Sequence, residues 1–215
     1  MMPLRVYFDL DGTLIDSKPE ILETLDKALI DNGFSMSDRE RDIRLGPPVR
    51  QMILNAYPTN YFSEKDLDNI VSSFRRVYDA SSFEKTQVFA GIDKVLRSQE
   101  ILPCLLTNKP LDATYKILYA KGWSNLFDSV LVPKKENNET KESILRDLKG
   151  DLEELFIMVG DTDNDTGSAF RAGVPSIGVL WGEGTYEELI TSGATLVCQD
   201  PNDLLACLEK LRYFK

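Results

Sequence analysis

The apolar positions of this chain follow two different periods, and the change between them divides it. The first run, Arg5-Val6-Tyr7-Phe8, is short, β-branched and aromatic. It predicts a buried strand, and it runs into Gly12-Thr13, a turn signal. From there to about residue 85 the period is helical. Leu22, Leu25 and Leu29 form a stripe that Gly33 stops. Ser17 and Glu20 have capping-box spacing ahead of it, and Pro19 suits an early helical position. The stretch from Ser37 to Tyr57 is polar, then apolar, and is broken by Gly46-Pro47-Pro48. It predicts one helix ending near Leu45 and another starting after the prolines. Ser63 with Asp66 marks a further start, continued by Leu67, Ile70, Phe74 and Val77.

From Val88 onward strands and helices alternate. Strands are expected at Ile101 to Leu106, Ser129 to Val132, Leu155 to Val159, Ser176 to Leu180 and Leu196-Val197. Helices are expected at Gly91 to Gln99, Ala113 to Lys121, Thr140 to Leu148, Thr166 to Ala172, Tyr186 to Thr191 and Leu204 to Leu211. Such alternation implies a parallel sheet covered on both faces. The expected architecture is α/β: a Rossmann-like core of residues 1–15 and 86–215, with residues 16–85 inserted as a small all-helical cap.

Composition narrows the function. A length of 215 residues and a hydrophobic fraction of 42% allow a sizeable core with a small inserted domain. A formal net charge of -10 argues against nucleic-acid or anionic-membrane partners, which reward basic surfaces. There is no histidine, so histidine-ligated zinc and every Ser-His or Cys-His mechanism are excluded. Acid–base work must fall to carboxylates or lysine. The three cysteines are scattered, odd in number and without a Cys-x-x-Cys pair, as expected of free thiols in a reducing compartment. The N-terminus has no signal-peptide anatomy and no apolar run reaches membrane-spanning length, so a cytoplasmic protein is expected. Monomer and homodimer are not distinguished.

The candidate chemistry lies where strands end. Asp9-x-Asp11-Gly12-Thr13 follows the first strand, Thr107-Asn108 the second core strand, and Gly160-Asp161-Thr162-Asp163-Asn164-Asp165 a later one. Lys141 starts the helix between the last two. Four fixed residues such as Asp-x-Asp-Gly-Thr arise by chance in a chain this long on the order of one time in a thousand. Strand ends of one sense share an edge of a parallel sheet, so these residues are expected to converge there. Gly12 lets the chain break away easily just after Asp11. The set suits phosphoryl transfer. A carboxylate attacks phosphorus, a Mg²⁺ ion held by Asp9, Asp11 and Asp161 offsets the charge, Thr107 donates a hydroxyl and a backbone N–H, and Lys141 neutralises the transferring group. A second carboxylate serves as acid and then base.

These motifs resemble the four of the haloacid dehalogenase superfamily: Asp9-x-Asp11-Gly12-Thr13, Leu106-Thr107-Asn108, Lys141 and Gly160-Asp161-x-x-x-Asp165. The insertion after the first motif resembles that of the helical-cap members. Gly46-Pro47-Pro48, Thr107-Asn108-Lys109-Pro110, Ala172-Gly173-Val174-Pro175 and Gly178-Val179-Leu180-Trp181-Gly182 are similar to the phosphoglycolate phosphatase branch. The resemblance implies a Mg²⁺-dependent phosphatase of a small phosphorylated metabolite, with a β-phosphoglucomutase-like mutase as the alternative. It implies Asp9 as nucleophile and Asp11 as general acid/base. Mg²⁺ would be held by the Asp9 side chain, the Asp11 backbone carbonyl and Asp161, with Asp165 in support. Thr107 and Asn108 would hold the phosphate, beside Gly12 and Thr13. The dehalogenase members lack a second aspartate in the first motif, so Asp11 favours a phosphatase. Lys135 is an alternative to Lys141, because many relatives carry the lysine in a Lys-Pro-x-Pro setting that neither residue has. Arg44 and Arg50 flank the Gly-Pro-Pro segment as candidates to reach substrate from the cap, although solvated helix-face arginines are commoner. Asp163 reads as an exposed or capping residue, and Gly182-Glu183-Gly184 as a flexible loop.

Overall fold

A computed structural model of the chain describes residues 2–36, 42–152 and 154–213. The strands are β1 (Leu4–Phe8), β2 (Ile15–Asp16), β3 (Gln87–Val88), β4 (Ile101–Leu106), β5 (Val130–Leu131), β6 (Phe156–Gly160), β7 (Ser176–Val179) and β8 (Leu196–Cys198). The helices are α1 (Lys18–Asp31), α2 (Val49–Ala56), α3 (Glu64–Asp79), α4 (Ile92–Leu96), α5 (Leu111–Ala120), α6 (Lys141–Asp151), α7 (Asp163–Ala172), α8 (Tyr186–Thr191) and α9 (Leu204–Arg212). Two compact units emerge, one of Met1–Asp16 with Val88–Lys215 and one of Ser17–Gln87.

The first unit is built on a six-stranded sheet in the order β5-β4-β1-β6-β7-β8, parallel at every pairing. The α/β expectation from strand–helix alternation therefore holds. Tyr7, Cys104 and Met158 are register partners across β4, β1 and β6. They share one face of the sheet, where they pack with Leu145 of α6 and with Ala169 and Ala172 of α7. The sheet grows from β1 toward β4 and β5 on one side and toward β6, β7 and β8 on the other. In open α/β sheets ligands bind at the carboxyl ends of the strands beside such a reversal, here β1 and its neighbours.

Local chemistry moves two boundaries from where periodicity put them. Helix α6 does not stop before Gly150 but runs through it to Asp151. A glycine costs about 1 kcal/mol in a helix interior and less in a last turn. Helix α7 begins at Asp163, earlier than the apolar stripe indicates, because Thr162 and Asp165 form a capping box.

In the second unit, the buried stripe of α1 includes Leu25, Ala28 and Leu29, and that of α3 includes Leu67, Ile70 and Phe74. Ser63 and Asp66 form the expected capping box of α3. Ser17 and Glu20 do not: the Ser17 side chain makes no cap bond, and the buried Glu20 carboxylate accepts instead from Ser81 Oγ and from the Lys85 N–H at 2.9 Å. Two tertiary donors there outbid a local cap. The helix expected to end near Leu45 is not seen in residues 42–48, and Ser37 to Arg41 lie outside the described residues. Rings of Phe34, Tyr57, Tyr61 and Phe62 cluster beside α2.

Candidate active site

Asp9 directly follows β1. Its N–H donates to the Val159 carbonyl at 2.9 Å, so the sheet fixes its backbone. Beyond it the chain turns tightly: Gly12 N–H reaches the Ile15 carbonyl at 2.8 Å, and Leu14 and Ile15 both donate to the Leu10 carbonyl. Gly12 has φ +80°, a conformation that side chains disfavour. A Cβ there would also overlap the Asp161 carboxylate. The turn thus requires glycine twice over, and it redirects the chain just past Asp11.

Lys141 is the first residue of α6, and a Thr140–Ser143 capping box fixes that helix start. Its ammonium is buried, with Nζ 2.5 Å from Asp9 Oδ1 and 2.6 Å from Asp165 Oδ1. The other Asp165 oxygen accepts from the Thr162 N–H at 3.1 Å and from Thr162 Oγ1 at 2.6 Å. The box that starts α7 therefore also aims Asp165 at Lys141. Asp161 follows β6. Its Oδ1 accepts from Thr13 Oγ1 at 3.0 Å and its Oδ2 from the Glu183 N–H at 2.9 Å. The Asp161 carbonyl accepts from the Gly184 N–H, and the Trp181 indole donates to the Thr13 carbonyl. The Gly182-Glu183-Gly184 segment is thus no free loop but the backing of Asp161, and a Cβ on Gly182 would collide with that carboxylate.

One carboxylate oxygen each from Asp9, Asp161 and Asp165 lies within 4.8 Å of the others, and all three residues are buried. Burial pushes the Asp9 carboxyl up to about 7; the Lys141 charge pulls it down and Asp165 pushes it further up. Burial, with Asp165 and Asp9 beside it, holds Asp161 well above the usual carboxylate range. Burial pulls Lys141 down, but the two aspartates outweigh it and hold it above the ordinary lysine range. Lys141 thus serves two of the three carboxylates, and Asp161 has hydroxyl and amide donors only. A hard divalent ion with oxygen preference fits this donor set, and a second positive charge is what the buried acids lack.

Asp11 stands apart from this trio. Its two carboxylate oxygens lie 2.9 and 2.8 Å from Nζ of Lys109. Sequence reasoning placed Lys109 only in a resemblance motif and gave it no role; its position after Thr107-Asn108 was the one available signal. Thr107 is buried at the end of β4. Its N–H is used on the Leu131 carbonyl at 3.1 Å, which corrects the expectation that it donates to a phosphate. Its hydroxyl oxygen accepts the Lys109 N–H at 3.2 Å, leaving the hydroxyl proton to donate elsewhere. Asn108 is exposed next to it. Thr13 is fully buried, with its hydroxyl given to Asp161. In the second unit, Arg50 pairs with Asp68 at 2.7 Å and with Glu64, both on α3, and Arg44 is exposed. Asp163 is exposed in the first turn of α7. The Lys135 side chain lies outside the described residues.

A family model described as haloacid dehalogenase-like hydrolase matches residues 6–179. A phosphoglycolate phosphatase of Xanthomonas campestris is 29% identical over 212 residues, which cover 93% of this chain and 94% of that one. A 5'-nucleotidase of Pseudomonas aeruginosa is 29% identical over 213 residues, 95% of each chain. The crystal structure of a "predicted phosphatase" from Clostridium acetobutylicum superposes with a TM-score of 0.80 at 27% identity, covering 98% of this chain and all of that one.

Proposed function

Since the chain belongs to the haloacid dehalogenase-like hydrolases and is a hydrolase of phosphoric monoesters, we propose that it transfers the phosphoryl group of a small metabolite first to Asp9 and then to water. The carrying observation is the buried Asp9 carboxylate, held through Oδ1 by Lys141 at 2.5 Å and flanked by Asp161. With Lys141 on Oδ1, the other Asp9 oxygen is the one assigned to attack. An Asp9 O–P bond forms as the ester P–O bond breaks, and the departing oxygen takes a proton from Asp11. Water then attacks phosphorus, gives its proton to Asp11, and the acyl phosphate opens to inorganic phosphate and free Asp9. Lys141 offsets the charge carried by the phosphoryl oxygens, and the Thr107 hydroxyl donates to one of them. Asp9 and Asp161, with Asp165 behind them and the Asp11 carbonyl as the family resemblance implies, would hold Mg²⁺, which when bound offsets the repulsion between a dianionic ester and the aspartate.

The names of two relatives, a phosphoglycolate phosphatase and a 5'-nucleotidase, support carboxylated alkyl phosphates and nucleoside 5'-monophosphates as the first substrates to try. The test is phosphate release from a panel of these with sugar phosphates added, with and without Mg²⁺. We expect turnover that needs the metal and disappears in Asp9→Asn with the fold retained by circular dichroism. Well-folded protein that releases phosphate from none overturns the reading. Sugar phosphate isomerised without phosphate release, followed by NMR, would make it a mutase instead.

A further inference from the structure

The phosphatase reading gives Asp11 a task but no account of what aims it, and the second lysine of the site supplies one. We propose that Lys109 is the positioning residue of Asp11, holding its carboxylate on the side where the leaving oxygen departs.

Lys109 is 8% exposed, although lysine is among the costliest residues to bury. Its backbone turn is pinned on both sides: the Lys109 N–H donates to Thr107 Oγ1 at 3.2 Å, and the Thr114 hydroxyl of α5 is shared between the Pro110 carbonyl at 3.0 Å and the Lys109 carbonyl at 3.3 Å. Pro110 next to it fixes the chain direction at the start of α5. The stem thus leaves a rigid strand–helix turn, and its Nζ lies 2.8 and 2.9 Å from the two Asp11 oxygens. Nζ touches both oxygens, so when one takes up a proton it gives up its ammonium contact and the other keeps its own. One oxygen can exchange a proton while the other stays bonded to the ammonium, so the carboxylate keeps its direction through both half-reactions. Asp11 sits at the start of the tight turn made at Gly12 and outside the Asp9–Asp161–Asp165 trio, where sheet pairing does not fix its side chain. Charge for the phosphoryl group already comes from Lys141, which contacts Asp9 and not Asp11.

Leaving-group dependence tests the role. An alkyl phosphate needs a proton on its departing oxygen, whereas p-nitrophenolate leaves without one. We compare kcat/KM, which ends at the phosphorylation of Asp9, for the best alkyl phosphate of the panel and for p-nitrophenyl phosphate, in wild type, Lys109→Met, Lys109→Arg, Asp11→Asn and Asp11→Asn/Lys109→Met. Lys109→Met should lose about 10²-fold on the alkyl ester, the order of a misaligned catalytic group, and far less on the aryl ester. Lys109→Arg, which can also hold both oxygens, should recover part of the alkyl loss. Adding Lys109→Met to Asp11→Asn should cost nothing more. Equal losses on both esters, or a further loss in the Asp11→Asn background, would assign Lys109 to the phosphate and overturn the proposal. Should Lys109→Met not fold, the Lys109→Arg ratio of alkyl to aryl loss decides alone: an unequal loss supports the role and an equal one overturns it. Wild type that turns over neither ester removes the phosphatase reading itself.

Discussion

Asp9 carries two burdens that pull in opposite directions: it must be ionised to attack, and it is buried among other acids. Its carboxyl is pushed up to about 7 from an ordinary 3.8, with burial the largest cause. The folded protein therefore holds this proton more tightly than the unfolded chain does. In that sense stability contributed by the group is present at low pH and is lost as pH rises through about 4 to 7. Asp161 is shifted in the same direction and adds to the slope. Metal-free protein should thus melt at progressively lower temperature from pH 5 to 7.5, and Asp9→Asn should flatten that dependence. Calorimetry in EDTA across the range checks this, and an identical slope in the variant would show that Asp9 is not the group responsible. Asp9, Asp11, Asp161 and Lys141 were legible because each sits at a strand end or helix start that periodicity located. Lys109 was not. A lysine stem is long enough to fold back across a turn, and no spacing rule says which carboxylate it will meet. The Thr13 hydroxyl was hidden for the same reason, since its partner Asp161 is distant in sequence.

One helix start in this chain does double duty, and mutation can separate it from one that only caps. The box at α7 uses Thr162 to cap the helix and to hold Asp165 Oδ2, which leaves Asp165 Oδ1 to orient Lys141. The box at α3 uses Ser63 and Asp66 for capping alone. Thr162→Val and Ser63→Ala should each cost about 1 kcal/mol in denaturant titrations. Only the first should lower kcat, by roughly ten-fold or more, as Lys141 loses its second anchor. Equal kcat in both variants would mean that Asp165 does not steer the lysine. Ser63–Asp66 and Ser17–Glu20 look alike in sequence, yet only the former caps. Buried Glu20 bonds Ser81 Oγ and the Lys85 N–H, residues far along the chain, and a charge–dipole pair of that kind is worth more than a cap. Glu20→Ala should accordingly cost about 2–3 kcal/mol, well above the roughly 1 kcal/mol of Ser63→Ala. Tertiary competition is what local signals omit.

At the scale of the molecule, sheet order does what no single motif can. Residues 9, 107, 141 and 161 are scattered over most of the sequence, and the β5-β4-β1-β6-β7-β8 order brings the ends of β1, β4 and β6 side by side. Strand–helix alternation made the shared edge readable, because parallel strands joined by helices have few alternatives, but the order of the strands came from the structure. The consequence is an acidic protein, net charge -10, that concentrates buried carboxylates at one edge with too few cations to match. A bound divalent ion would relieve that imbalance only in the folded state, so it should stabilise by mass action. At Mg²⁺ one hundred-fold above its dissociation constant the gain is about 2.7 kcal/mol, or roughly 5–10 °C for a domain of this size. The shift should grow with pH over the window in which Asp9 and Asp161 lose their protons, since metal and proton compete for the same oxygens. Asp161→Asn should abolish most of it, because that carboxylate has the cluster's least cationic surroundings: Lys141 reaches Asp9 and Asp165 but not Asp161. Ser63→Ala, in the other unit, should keep it whole. Differential scanning fluorimetry of the three proteins with and without Mg²⁺ decides the matter, and an undiminished shift in Asp161→Asn would place the ion elsewhere.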